Sequence, residues 1–341
     1  MKQLFRLTVC AAMVIAMTAA YAQAQPKKIK YQPSQTVLLY PDGQDAVCGL
    51  PEAKGPLENN GFNGVEETDA EGGLHKIGEK ARMDLYFPKK PTGQMVIICP
   101  GGGYTWTSAR NEGVMVANWM MAQGITCCVV KYRHPNGHWL LPLQDVQNAF
   151  RYCRAHASEW KVKQIGIIGF SAGGHLAASA STMFVDKVTR PDFSVLIYPV
   201  ISMNKGITHK GTRNCLIGKD EKWNDESVNA KQWKANMRKH GELLARYSLD
   251  RQVTPATPDT FIALSTDDKT VPVVNSILYY SALVDCKVSA EMHIFPEGGH
   301  GWGFTSQEYQ FEGQKDKFAY ARSEFETSLL RWLKNEFKKA E

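Results

Sequence analysis

What this 341-residue chain lacks narrows it first. Beyond residue 25 there is no uncharged run of 18 apolar residues, so no membrane span is expected there. The formal charge is +6, or +4 without Lys2 and Arg6, and Lys/Arg is dense only in the mixed Lys/Glu stretch 334–341. A nucleic-acid partner is therefore not implied. There is no Cys-x-x-Cys pair and no metal-ligand spacing, so no structural zinc and no metal is expected. Eight cysteines become seven without Cys10, an odd number that does not suggest a disulfide framework. Cys99, Cys127 and Cys128 sit in apolar, strand-like runs, where a thiol behaves as a small hydrophobe. No repeat and no low-complexity tract occurs, and no cofactor is implied.

The first 24 residues stand apart. Lys2 and Arg6 precede an almost wholly apolar run over 7–17, followed by Ala20-Tyr21-Ala22 and Ala22-Gln23-Ala24. A basic start, a short apolar run and small-x-small sites are the layout of a secretory signal, with cleavage expected near Ala22 or Ala24 and a periplasmic or secreted product. Residues 25–80 read as an N-terminal extension packing on the main domain. It is rich in Gly, Pro, Asn and Glu, with one short strand at 36–40 and the rest loop.

From residue 81 the pattern becomes regular. Strands are expected at 82–87, 95–99, 125–131, 164–170, 194–198, 261–265 and 291–295. Helices are expected at 113–123, 143–160, 172–184, 274–285 and 323–337. Strands alternating with helices of this length give an α/β domain over 81–341, with a mostly parallel sheet covered on both faces. Such sheets carry their chemistry at the carboxyl ends of the strands. Residues 202–258 break the rhythm; they are polar, contain Trp223 and Trp233, and read as a cap-like insertion.

Gly169-Phe170-Ser171-Ala172-Gly173 is a G-x-S-x-G motif. About one chain in ten of this length shows it by chance, so its setting matters. An apolar strand precedes it and a small-residue helix follows, as a sharp turn presenting a nucleophilic hydroxyl requires. The N–H of Ala172 then faces the developing oxyanion. Pro100-Gly101-Gly102-Gly103-Tyr104 follows an earlier strand, with Gly102 and Gly103 as the expected further oxyanion donors. No Gly-Lys-Ser/Thr follows these glycines, which excludes a phosphate-binding loop.

A serine hydroxyl needs a base, and the base needs an acid. Among the later histidines, His175 falls in the helix of the turn and His293 within a strand. His300 lies in the glycine-rich loop Gly298-Gly299-His300-Gly301 after the last strand and is the expected base. Asp267 and Asp268 follow the strand at 261–265. Asp268 is the expected acid, with Asp267 the alternative on register, and the other expected to cap the turn. Tyr104, Trp106, His209, Arg213 and Trp302 are candidate substrate contacts, the aromatics through stacking. Core or lid packing, or anchoring of the insertion, are the competing roles for them.

Together, Cys99-Pro100-Gly101-Gly102-Gly103-Tyr104, Gly169-Phe170-Ser171-Ala172-Gly173-Gly174-His175-Leu176-Ala177, Asp268-x-x-Val271-Pro272 and Gly298-Gly299-His300-Gly301 resemble the secreted bacterial carbohydrate esterases of the α/β-hydrolase superfamily, the acetyl xylan esterase and feruloyl esterase-like enzymes. The resemblance spans roughly residues 35–335. It implies an α/β-hydrolase fold, a serine esterase working through an acyl-enzyme, an acylated carbohydrate or other small ester as substrate, and Asp268 as the acid. Pro100 stands where relatives of the hormone-sensitive-lipase type carry His; the backbone donors survive that change. A prolyl oligopeptidase-type peptidase shares the motif order. However, only about 75 residues precede the sheet here, too few for a propeller of about four blades. A general esterase or lipase, and a non-enzymatic binding module on the same scaffold, are the remaining alternatives. Acetyl and feruloyl release are not distinguished by these residues.

Overall fold

The computed structural model describes residues 32–41, 66–78, 81–304 and 316–340. The expected signal segment lies outside them. The chain divides into units Met1–Gln32 and Pro33–Glu341, and every element below belongs to the second.

Strands run in chain order β1 (Gln35–Leu38), β2 (Glu67–Thr68), β3 (Leu74–His75), β4 (Arg82–Tyr86), β5 (Gln94–Cys99), β6 (Trp106–Thr107), β7 (Thr126–Lys131), β8 (Gln164–Phe170), β9 (Ser194–Ile197), β10 (Thr260–Ser265) and β11 (Ala290–Phe295). Eight of them form one sheet in the order β1-β4-β7-β5-β8-β9-β10-β11. β1 and β4 are antiparallel to their neighbours, and from β7 to β11 all pairs are parallel. β5 and β8, at the centre, are buried along their whole length. That burial on both faces explains runs such as Met95-Val96-Ile97-Ile98 that do not alternate. Met115–Ala122, Leu141–His156, Ser171–Thr182, Val274–Asp285 and Arg322–Ala340 are helices.

One buried cluster fixes the start of the second parallel crossover. Arg133 and Asp145 are fully buried and pair at 2.7 Å, and Tyr40 donates to Asp145 Oδ1 at 2.7 Å while accepting from Arg133 at 2.6 Å. Two charges survive in the interior because each is paired and hydrogen-bonded.

Three features depart from the periodic expectation. The helix expected from 113 is preceded by a wide π-turn over Ala109–Val114, which leaves Glu112 buried. Such turns carry an extra residue and recur at functional sites. The helix expected to reach 160 stops at His156, and its closing turn passes through Lys161 at φ +57°. Within the stretch read as loop, β2 and β3 pair as a hairpin and β3 pairs with β6, forming a second, three-stranded sheet. Residues 202–258 fold between β9 and β10 as the helices Lys210–Ile217, Asp220–Trp223 and Ala230–Arg246. The side chains of His209 and Asn229 accept the first-turn N–H groups of Thr212 and Gln232.

Candidate active site

β8 ends at Phe170, and the following helix starts directly at Ser171, whose φ is +54°. A non-glycine residue held there stores backbone strain, which the surrounding packing must impose. The packing is tight: a Cβ on Gly173 would lie 2.1 Å from the Cys99 carbonyl oxygen at the end of β5. Only glycine lets the helix rise that close to the neighbouring strand. Ser171 is thereby lifted to the carboxyl edge of the sheet, and Ala172, at the helix N-terminus, keeps an N–H outside the intrahelical ladder.

Asp268, His300 and Ser171 form one chain of hydrogen bonds. His300 Nδ1 donates to Asp268 Oδ2 at 2.7 Å, so Nε2 is left to accept from Ser171 Oγ at 2.8 Å. The Asp268 side chain is buried, and its Oδ1 accepts the N–H groups of Thr270 at 2.8 Å and Val271 at 2.9 Å. A carboxylate with three donors is held in one orientation, which in turn fixes the imidazole tautomer. Asp267 has a different partner from the one expected of it. It accepts the N–H of Gly299 at 2.7 Å, pinning the loop that carries His300 rather than its own turn.

The glycine turn after β5 faces Ser171. Gly102 has φ +126°, and a Cβ there would lie 2.1 Å from the Trp106 carbonyl oxygen. Gly102 O accepts from the N–H groups of Thr105 and Trp106, which closes the turn. Among the described residues the N–H groups of Gly102 and Gly103 have no acceptor. A cavity of about 430 Å³ opens over Ser171 and His300, with Gly102 and Gly103 in its wall. Ala172 is fully buried beneath it.

The five candidate substrate contacts separate into two groups. Trp106 and His209 line the cavity. His209 Nδ1 accepts from the Thr212 N–H and hydroxyl, which leaves its proton on Nε2; burial, and then His300, hold its pKa below the usual histidine value. Tyr104, Arg213 and Trp302 are packed instead. Tyr104 is 1% exposed and donates its hydroxyl hydrogen to His175 Nδ1. Arg213 pairs with Asp220 at 2.5 Å inside the insertion, the anchoring role among its alternatives. Trp302 stacks on Phe318 at 3.9 Å and donates to Ser265 Oγ.

Several residues at the site are not among the expected site residues. Glu112 is buried; its Oε2 accepts the Gly101 N–H at 2.7 Å and its Oε1 the Tyr198 hydroxyl at 2.8 Å. Tyr198 has φ +36°, and its ring lies 4.7 Å from that of His300. Asn111 donates to Gly301 O at 3.1 Å. Glu71 and Gly73, at the turn of the β2–β3 hairpin, and Arg110 complete the far wall of the cavity. Tyr198 directly follows β9 and could have been sought by strand-end position alone. Glu112 follows no periodic pattern. Among the described residues no group of three or more His, Cys, Asp or Glu side chains could hold a metal ion, and no helix is long and apolar enough to cross a membrane. The six cysteines among these residues carry free thiols.

With the fold and site in view, residues 83–283 match the BD-FAE family. The chain belongs to that family. It is 38% identical over 229 residues to an acetylxylan esterase of Xylanibacter ruminicola, covering 66% of this chain and 44% of that one. It is 30% identical over 235 residues to endo-1,4-beta-xylanase B of Butyrivibrio fibrisolvens, covering 63% and 33% respectively. The chain therefore spans less than half the length of these curated relatives. Among solved structures, an acetyl ester-xyloside bifunctional hydrolase from Caldicellulosiruptor lactoaceticus matches with TM-score 0.65 and 27% identity, covering 90% of this chain and 98% of that one. The fold of this BD-FAE member is that of the α/β-hydrolases, as the sequence motifs implied.

Proposed function

We propose that this BD-FAE member is a serine carboxylic-ester hydrolase that removes acetyl groups from xylan-type polysaccharide or oligosaccharide. The observation that carries the reading is the unbroken chain from Asp268 through His300 to Ser171, at 2.7 and 2.8 Å, on a strained turn. In this scheme His300 Nε2 takes the Ser171 proton as Oγ attacks the ester carbonyl. Asp268 stabilises the resulting imidazolium. Gly102, Gly103 and Ala172 donate to the oxyanion. The sugar hydroxyl leaves with the proton from His300, and water activated by the same imidazole hydrolyses the acetyl-enzyme.

The carbohydrate part of the reading rests on the cavity lining next to the oxyanion turn. Trp106 offers an aromatic face beside Glu71, Arg110 and the His209 ring, groups suited to a polyhydroxylated alcohol rather than to a long acyl chain. The names of the acetylxylan esterase and acetyl ester-xyloside hydrolase relatives agree with it. Residues 202–258, which supply His209, act as a cap on this wall. The described parts of the extension 25–80 join the domain through β1 on β4 and β3 on β6, and segment 1–24 directs export and is removed near Ala22 or Ala24, so that the enzyme works in the periplasm or outside the cell.

The test is acetate and ferulate release from acetylated xylan and feruloylated arabinoxylan side by side, with Ser171→Ala as control. Acetate release that disappears in Ser171→Ala is expected. Ferulate release in its place would replace the acetyl assignment, and activity surviving in Ser171→Ala would overturn the mechanism.

A further inference from the structure

Glu112 is a carboxylate where none is needed for the triad. It lies in the π-turn Ala109–Val114 and is 4% exposed. Its two oxygens reach in opposite directions. Oε2 accepts from Gly101 N–H, the residue ahead of the two oxyanion glycines. Oε1 accepts from Tyr198 Oη. The direction of that second bond is fixed, because the Tyr198 oxygen itself accepts from Gly303 N–H at 3.0 Å and so has its single proton free for Glu112. Gly303 lies three residues after His300 and Gly101 one residue before Gly102, so one side chain ties both halves of the site.

We propose that Glu112 is a positioning residue for the hydrolysis at Ser171: its buried carboxylate holds the oxyanion turn through Gly101, holds the His300 loop through Tyr198, and places a fixed negative charge near the imidazole. The inference rests on the reading of Ser171 and His300 given under the proposed function. Two accepted hydrogen bonds favour the ionised form of a carboxyl group. Burial pushes the Glu112 carboxyl above the usual range, and the Tyr198 hydroxyl, the attraction of His300 and the Gly101 N–H oppose that push. The titratable groups that act on this charge are Tyr132 after β7, Tyr198 after β9 and His300 after β11; Asp268 acts on Tyr198, His209 acts on His300, and Arg110 shares the π-turn. Of these, His300 is the one whose charge changes during turnover. A negative charge near it favours the imidazolium formed when Ser171 is deprotonated, and the burial of Glu112 weakens the screening of that attraction by water.

The test compares Glu112→Gln, Glu112→Asp and Tyr198→Phe with the wild type on p-nitrophenyl acetate, reading kcat, KM and the pH profile of kcat/KM, with thermal melts alongside. Glu112→Gln keeps the shape and removes the charge. It is expected to lower kcat about ten-fold or more, with KM within about three-fold because ground-state binding is not its role. The acid limb of the profile should move to lower pH, since the imidazole loses an anion that favoured its protonation. Glu112→Asp keeps the charge and should leave the acid limb in place even where kcat falls. A wild-type kcat and acid limb in Glu112→Gln would overturn the proposal. So would a loss accompanied by an unmoved acid limb, which marks a purely structural group. If Glu112→Gln does not fold, Tyr198→Phe decides: it removes a donor that holds Glu112 ionised against burial, so the carboxyl is neutralised more readily and the acid limb moves in the same direction, or the proposal fails. A wild type inactive on acetate esters would refute the esterase reading separately. The Glu112 inference would then be read from the pH dependence of fluorophosphonate labelling at Ser171 in the same variants.

Discussion

Asp267 and Asp268 are adjacent, chemically identical, and assigned different work by their partners. That difference sets two magnitudes. Asp268 meets His300 Nδ1 at 2.7 Å and fixes its tautomer. An amide at 268 could present its N–H₂ to the ring and stabilise the tautomer with the proton on Nε2, which cannot accept from Ser171. The loss expected for Asp268→Asn is therefore about 10⁴ in kcat, the size that follows when a triad base is held in the wrong tautomer. Asp267 instead makes one charge-assisted bond, to Gly299 N–H at 2.7 Å. Such a bond contributes about 1.5–3 kcal/mol. Even if all of it were lost from the transition state, kcat/KM would fall only about 10- to 150-fold at 1.36 kcal/mol per decade. Asp267 is partly exposed and water can replace it at Gly299, so Asp267→Ala belongs at the low end, near ten-fold. Asp267→Asn keeps an oxygen acceptor and should cost less still. Steady-state kinetics on p-nitrophenyl acetate, with circular dichroism to confirm folding, separates the two. If Asp267→Ala costs as much as Asp268→Asn, or if Asp268→Asn retains a tenth of wild-type kcat, the division of labour is refuted.

Two further outcomes follow from groups already described. Gly102→Ala puts a Cβ 2.1 Å from a backbone carbonyl oxygen at a φ of +126°, so the turn must move its donors; a fall of about 10²–10³ in kcat with a near-native melting temperature is expected, and an unchanged kcat would remove Gly102 from the oxyanion hole. His175 and His134 are buried, and burial lowers their pKa from 6.5 to about 4 and about 3. A histidine held neutral in the fold gives its full stability above pH 6.5 and loses it as pH falls toward the folded value, because the unfolded chain binds more protons there. The unfolding free energy from urea titrations should therefore drop between pH 7 and pH 5, by about 2 kcal/mol for each histidine, and the midpoint with it. A midpoint independent of pH over that window would show that these rings are not kept neutral.

The parts of the molecule that sequence reached share one property: their signal is local. β8 coincides with the expected strand because six of the seven residues in Gln164-Ile165-Gly166-Ile167-Ile168-Gly169-Phe170 are apolar or glycine between clear punctuation. Ser171 and His300 stand in glycine-framed turns whose geometry demands those glycines. The hairpin over 66–78 reads as loop in the sequence because two-residue strands carry no alternation and β3 takes its second partner from β6, some 30 residues downstream. Glu112 escaped for a related reason. A single buried carboxylate is stabilised by Gly101 and Tyr198, and neither spacing forms a motif. Trp302 and Arg213 illustrate the opposite error. Their residue types suit a sugar, yet packing on Phe318 and pairing with Asp220 claimed them first.

The β2–β3 hairpin also bears on where the candidate site begins. The stretch shared with the BD-FAE family starts at residue 83, yet Glu71 and Gly73 already form part of the cavity above Ser171. A domain boundary drawn at the start of that match would cut through the wall of that cavity. It would leave Ser171, His300 and Asp268 in place while opening one flank of the cavity to water. Substitutions in this hairpin thus reach the cavity wall without touching Ser171, His300 or Asp268.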